Sequence, residues 1–250
     1  MKKVVLFIVC VLIFSSCEKP SDCVESSGET IIKDIPVLPF KKIKVYRGIQ
    51  VVITQGSEYK VQIEAGKNFI DNVEVIQNGD QLIFKDEASC NWVRTYGQTK
   101  IHVTTPTLEE IYSKTDRDIS SIGVLTFPDL NILSLDKDAD GEKGAGTGDF
   151  HMEVNNNTLT IANNNVSRYY LSGQTNNANF NFYFGDGRIE AQNLIAQNVK
   201  VYHRGSNDMI VNPIQSVTGT LNSTGNLVLK NVPPIVTPLD VLFTGHVVYP

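Results

Sequence analysis

The sequence predicts an all-β, single-domain body of right-handed parallel β-helix or solenoid type, with antiparallel strands in its N-terminal part. Three observations predict it. Apolar residues alternate with polar ones at a period of two from Lys42 onward. No window shows a sustained 3.6-residue period with caps, and Gly and Asn, which disfavour helix interiors, are dense. In the second half, a turn followed by apolar residues recurs at Asp186-Gly187, Ser206-Asn207, Thr224-Gly225 and Thr244-Gly245, so that the turn residues are spaced by 20, 18 and 20. A fixed period near twenty is the mark of coils that stack on one another. A β-sandwich, with turns every eight to twelve residues, is the competing architecture.

The chain starts with a different kind of segment. Met1-Lys2-Lys3 is cationic and Val4 to Phe14 is an unbroken apolar run. Eleven residues rise only about 16 Å as a helix, roughly half of a bilayer's hydrocarbon core. A short apolar run behind lysines and ahead of small residues is the export-signal pattern. Phe14-Ser15-Ser16-Cys17 resembles the bacterial lipobox, which implies cleavage after residue 16 and acylation of Cys17. Phe14 departs from the Leu usual in that motif. Acyl chains contribute about 0.8 kcal/mol per buried methylene, enough together for stable anchoring. The membrane is thus an expected partner through the lipid. Residues 17–34 form a polar tether carrying Pro20, Ser21, Asp22, Ser26 and Ser27, and residues 35–250 form the body. Outer-membrane display is expected, with the cell-surface and periplasmic faces both open.

Without Lys2 and Lys3, 20 basic residues face 27 acidic ones, a net charge of −7 for the mature chain. Such a chain, with basic residues grouped only at Lys41, Lys42 and Lys44, is not a nucleic-acid binder. Of the cysteines, Cys10 leaves with the signal and Cys17 carries lipid. Cys23 and Cys90 remain, and an oxidising compartment argues for a disulfide between them, two free thiols being the alternative. Such a bridge contributes about 3–4 kcal/mol on a loop-entropy model.

Along the body, Ile43, Val45 and Ile49 to Ile53 begin the strands, and Gln55-Gly56-Ser57 turns the chain. Val61 and Ile63 follow, then Val73 to Ile76 and Leu82 to Phe84 across the hairpin turn Asn78-Gly79-Asp80. These pieces read as a meander of antiparallel strands. Lys100 to Val103 opens a further strand. Phe180, Phe182 and Phe184 alternate with Asn179, Asn181 and Tyr183, which predicts an aromatic inner face. Asn155 to Asn157, Asn163 to Asn165 and Asn176-Asn177 suit coil corners, where Asn tolerates left-handed backbone and stacks in ladders.

Phe40-Lys41-Lys42-Ile43-Lys44-Val45-Tyr46, Val51-Val52-Ile53-Thr54-Gln55-Gly56, Cys90-Asn91-Trp92-Val93-Arg94, Gly146-Thr147-Gly148-Asp149-Phe150 and Thr224-Gly225-Asn226, in this order, resemble the family called "putative auto-transporter adhesin, head GIN domain", frequent among Bacteroidetes lipoproteins. The resemblance implies a parallel β-helix-like fold and brings no catalytic residues. An autotransporter's membrane barrel would show as amphipathic strands of about ten residues with aromatic girdles. None follows the last repeat, so Cys17 is the expected membrane attachment.

Asp136-Lys137-Asp138-Ala139-Asp140-Gly141 fits the first half of a calcium loop, but Thr147 stands where a bidentate Glu belongs, and a solvated acidic turn explains it as well. His102, His151, His203 and His246 lie on separate strands without ligand or triad spacing, and most of them read as solvent-face residues. There is no phosphate loop, His-Glu-x-x-His or Gly-x-Ser-x-Gly, so neither catalytic residues nor cofactors are expected. The enzymatic alternative is a polysaccharide lyase or glycosidase using Asp186 and Asp208 with Arg188, His203 and Arg204, for which turn chemistry is the plainer explanation. A non-catalytic binding, adhesion or structural surface module is the main expectation. A protein or glycan would be its ligand, with Trp92, Tyr96, Tyr169 or Tyr183 as candidate contacts, although core or cap packing is the plainer role for each because aromatics bury well.

Overall fold

Alternating residues from distant parts of the chain meet in continuous columns, and these columns define the molecule. The computed structural model describes residues 26–87, 99–136, 141 and 146–250. About 61% of the described residues are in strands, and all of these strands hydrogen-bond into one continuous sheet. Most pairings are parallel and fall into two ladders.

The first ladder stacks β6 (Gln81–Asp86), β2 (Lys42–Val45), β8 (Glu110–Ser113) and β10 (Asp129–Ser134) in that order. Above them come the second halves of four long strands, β11 (Phe150–Asn163), β12 (Arg168–Phe182), β13 (Arg188–His203) and β14 (Met209–Leu221), and finally β16 (Leu239–Val241). The second ladder stacks β7 (Lys100–Thr105), β3 (Gln50–Gln55) and β9 (Ile119–Leu125). The first halves of the same four long strands follow, then β15 (Leu227–Leu229) and β17 (Val247–Val248). Each coil therefore contributes one strand to each ladder, and the apolar sides of both face one core.

The register shows why the sequence needs its period. Leu82, Ile43, Ile111, Ile132, Ile161, Phe180 and Val201 form one column of the first ladder, every side chain buried. Ile101, Val51, Ile119, Phe150, Tyr169, Ile189, Met209 and Leu227 form its counterpart in the second, each fully buried. Burying a side chain of this size contributes about 1.5–3 kcal/mol. One misplaced residue would turn the whole row to solvent.

The repeated turns stand where the sequence places them. Gly187, Asn207, Gly225 and Gly245 each come two residues before Ile189, Met209, Leu227 and Val247, which are in register. The residues between them form a polar staircase. Asp118 Oδ1 accepts the Asp149 amide at 3.0 Å, and Asp149 Oδ1 accepts the Arg168 amide at 2.9 Å. Asp208 Oδ1 accepts the Asn226 amide at 3.3 Å, and Asn226 Oδ1 accepts the His246 amide at 3.0 Å. Asp and Asn recur because a short side-chain oxygen satisfies the next coil's first N–H.

Three expectations are corrected. The N-terminal strands are not an antiparallel meander, since β2, β3, β6 and β7 all join parallel ladders. Antiparallel pairing among the described residues is confined to the contacts of β1 (Thr30–Ile35), β4 (Lys60–Gly66) and β5 (Val73–Asn78): β1 with β4, β4 with β7 and β5 with β6. The β5–β6 hairpin keeps the predicted turn, with Gly79 at φ +61. Among the described residues no non-glycine has positive φ, so the corner asparagines are not left-handed. They do form the expected ladder: Asn176 Nδ2 donates to Asn157 Oδ1 at 3.2 Å, Asn198 Nδ2 to Asn177 Oδ1 at 3.4 Å, and Ser216 Oγ to Asn198 Oδ1 at 2.8 Å. Finally, Phe180 and Phe182 are core, but Phe184 lies beyond the end of β12 and is 51% exposed.

Candidate functional site

The ladders are regular except where strands of the second one carry extra residues, and a cleft opens there. Between β9 and β11 the register passes from Ser120↔His151 to Val124↔Glu153, so Ser121, Ile122 and Gly123 stand against Met152 alone. Gly123, at φ +73, allows the excursion. Between β12 and β13 the register passes from Tyr170↔Glu190 to Ser172↔Asn193, with Ala191 and Gln192 against Leu171. A third shift follows between β13 and β14 after Glu190. Where strands bulge, outward side chains spread apart.

The resulting cleft holds about 340 Å³ and is lined by Ser121, His151, Met152, Glu153, Tyr170, Leu171, Ser172, Glu190, Gln192 and Asn193. Its wall is a stacked pair of rings, His151 on Tyr170, with centroids 4.7 Å apart and planes 6° from parallel. On the other side of His151 in the register stands Ser120, too small to cover a ring. Tyr170 and Glu153 are exposed, and Glu190 is half-buried. Arg188 donates through Nε to Glu190 and through Nη1 to Asp208 Oδ2 at 3.2 Å. The Glu190 hydrogen bond and the Asp208 carboxylate hold the guanidinium above its usual range against the opposing effect of burial. The side-chain Oε1 of Gln192 is buried without a hydrogen-bond partner, which makes it the least satisfied polar group of the lining.

The residues singled out from the sequence fall elsewhere. Cys17, Cys23 and Cys90 lie outside the described residues, as do Trp92, Tyr96, Asp138 and Asp140. Among the described residues no group of three or more His, Cys, Asp or Glu side chains is placed to hold a metal. Tyr169 is fully buried and donates to Asn163 Oδ1 at 3.1 Å, and burial pushes its hydroxyl pKa up. Tyr183 is 42% exposed and its ring is tilted against that of Tyr202, with centroids 6.0 Å apart.

The carboxylates of the enzymatic alternative are each engaged by separate partners. Asp186 accepts from Ser206 Oγ at 2.7 Å, while Asp208 accepts from Arg188 and from Asn226 Nδ2 at 2.9 Å. Burial pushes the Asp208 carboxyl up, but these hydrogen bonds outweigh it and hold it below its usual value. His203 is not a solvent-face residue. It is fully buried in the column between Phe182 and Leu221, and its Nδ1 accepts the Gly205 amide at 3.3 Å. His102 faces Glu64 at 2.7 Å. His151 and His246 are exposed as expected.

The His151–Tyr170 pair was legible only in part. The two residues are 19 apart, close to one coil, but the coil beginning at Arg168 is preceded by Ser167 where its neighbours have Gly or Asn, so its turn does not resemble theirs.

Solved structures show the same fold. A putative adhesin from Bacteroides fragilis NCTC 9343 is 24% identical, with a TM-score of 0.76 over 89% of this chain and 97% of that one. A putative adhesin from Parabacteroides merdae ATCC 43184 is 16% identical, with a TM-score of 0.59 over 89% and 97%. A protein from Parabacteroides distasonis ATCC 8503 described as a putative lipid binding protein is 14% identical, with a TM-score of 0.62 over the same shares. No curated protein matches the chain. The sequence model described as "Putative auto-transporter adhesin, head GIN domain" matches residues 39–233, most of the two-ladder body and both edges of the cleft. On that match the chain belongs to this head GIN domain family.

Proposed function

We propose that this protein is a lipid-anchored, non-catalytic binding module of the bacterial cell envelope. In this reading residues 1–16 are removed, Cys17 carries the lipid, and residues 17–34 tether a body spanning residues 35–250 that is wound as a right-handed parallel β-helix. A disulfide between Cys23 and Cys90 would tie the tether to the body. The membrane is reached through the lipid, the ligand is a protein or a glycan, and the net negative charge disfavours nucleic acid.

The observation that carries the reading is the outward cleft on a rigid two-ladder stack. Its lining combines exposed aromatic rings, carboxylates and amides on strands fixed by neighbours on both sides, an arrangement that holds a ligand's contacts in place. The family to which the chain belongs is described as adhesin-like, which agrees with display on the envelope. Among the described residues no helix is long and apolar enough to cross a membrane. Asp186 and Asp208 are engaged in joining successive coils, and nothing favours the lyase or glycosidase alternative.

Two measurements test this. Cells making the protein should attach to matrix- or glycan-coated surfaces better than cells lacking it, and equal attachment would count against a binding role. Cys17→Ser should move the protein from the membrane fraction to the soluble one. A variant that stays with membranes would overturn the lipid anchor.

A further inference from the structure

We propose that the cleft beside His151 and Tyr170 is a binding site for uncharged saccharides. This inference rests on the binding role above and names the ligand class that the site fits. Three properties of the lining point the same way. First, a pyranose presents a face of C–H groups that packs on an aromatic ring, and the exposed His151–Tyr170 stack is such a platform, open on the His151 side where Ser120 is small. Second, vicinal hydroxyls each donate and accept, so they need short polar side chains of both kinds close together. Ser121, Ser172, Gln192 and Asn193 supply donors and acceptors, and the exposed Glu153 carboxylate supplies a charged acceptor. Third, the charge selects among saccharides. Both carboxylates of the lining lie within one cleft, Arg188 is already engaged by Glu190 and Asp208, and the whole chain carries −5. A sulfated or sialylated glycan would meet repulsion here, whereas a neutral one would not.

The test uses the full chain carrying Cys17→Ser on a printed array that holds neutral oligosaccharides beside sialylated and sulfated ones. The expected result is retention of neutral glycans and not of acidic ones. Tyr170→Ala and Asn193→Ala should each weaken that retention at least tenfold with the melting temperature unchanged, because both side chains are exposed. Preference for acidic glycans, no retention of neutral ones, or equal retention by both variants would overturn the saccharide site. The attachment assay separates this failure from failure of the binding role. Cells carrying Tyr170→Ala that attach as well as the parent, while cells without the protein do not, would sink the saccharide site and leave the binding role standing.

Discussion

Tyr169 and His203 sit at matching depths of the core yet put different demands on it. The Tyr169 hydroxyl is satisfied by Asn163 Oδ1, and Asn163 Nδ2 in turn donates to the Asn165 carbonyl at 3.1 Å. Tyr169→Phe keeps the ring stacked on Phe150 at 4.8 Å but leaves the buried Asn163 oxygen without its donor. The expected loss is about 1–3 kcal/mol in a urea titration, with no change in strand content by circular dichroism. A neutral result would mean that Asn163 finds another donor. His203 is the pH-sensitive counterpart. Burial lowers its pKa, opposed by backbone oxygens of Asn207 and Asn226 and by the Asp208 charge. A base whose folded pKa is depressed contributes full stability above its unfolded value, near 6.5, and loses it as pH falls through that value to the folded one. Thermal stability should therefore decline as pH falls below about 7, and His203→Gln should flatten that part of the curve. Glu64, held below its usual range first by the His102 hydrogen bond, adds a separate loss at lower pH, below about 4.5. An equally steep decline below about pH 7 in His203→Gln would show that other groups control it.

At the scale of elements, the strands were far easier to read than their partners. Period-two alternation marks Ile43, Val45, Val51 and Ile53 as inward residues whether the neighbour runs parallel or antiparallel, so it cannot choose between a meander and a ladder. The twenty-residue spacing does choose, and it was visible only where turns repeat their residue types, from Gly187 onward. The bulges that form the cleft leave no such signal. They appear only as departures from the spacing, and Ser121-Ile122-Gly123 looks like any strand with a glycine in it. Glycines at the ladder's tightest places make a sharper statement. Gly173 has φ +94, and a Cβ there would lie 2.1 Å from the Val154 carbonyl oxygen; Gly219 has φ +133, with the Val201 oxygen at 1.8 Å. Both are inside strands, where glycine otherwise weakens the element. Gly173→Ala and Gly219→Ala should each cost about 1–3 kcal/mol for the backbone conformation, with more for the clash. An unfolding free energy that falls by less than about 1 kcal/mol in either variant, read from equilibrium denaturant fits, would show that the ladder shifts to admit the methyl group.

For the whole molecule, the stacking order differs from the chain order at one end only. The coil of β6 and β7 lies below that of β2 and β3, and the chain then passes to β8 and β9 on the opposite side. From β8 onward each coil rests on the one before it in sequence. That crossing was not legible, because the inward residues of β2 and β6 are interchangeable in type, whereas the later succession follows directly from the turn spacing. The antiparallel pair β1–β4 lies on β7 and covers the edge of the second ladder at this end. At the other end β16 and β17 are strands of three and two residues, and Leu242, Phe243 and Tyr249 around them are exposed. In a stacked array each coil is stabilised mainly by its two neighbours, so opening is easiest where a neighbour is missing and the strands are short. Amide hydrogen exchange should therefore be slowest in β11 to β13, which have long strands on both sides, and fastest among the described residues in 239–250, with β14 between. The Asn157, Asn176, Asn177 and Asn198 ladder lies inside the slow region, so Asn177→Ala should speed exchange in β12 and β13 while leaving β2 to β7 unchanged. Uniform acceleration across the chain would show instead that the body opens as one cooperative unit, and the picture of coils stabilised by nearest neighbours would have to be abandoned.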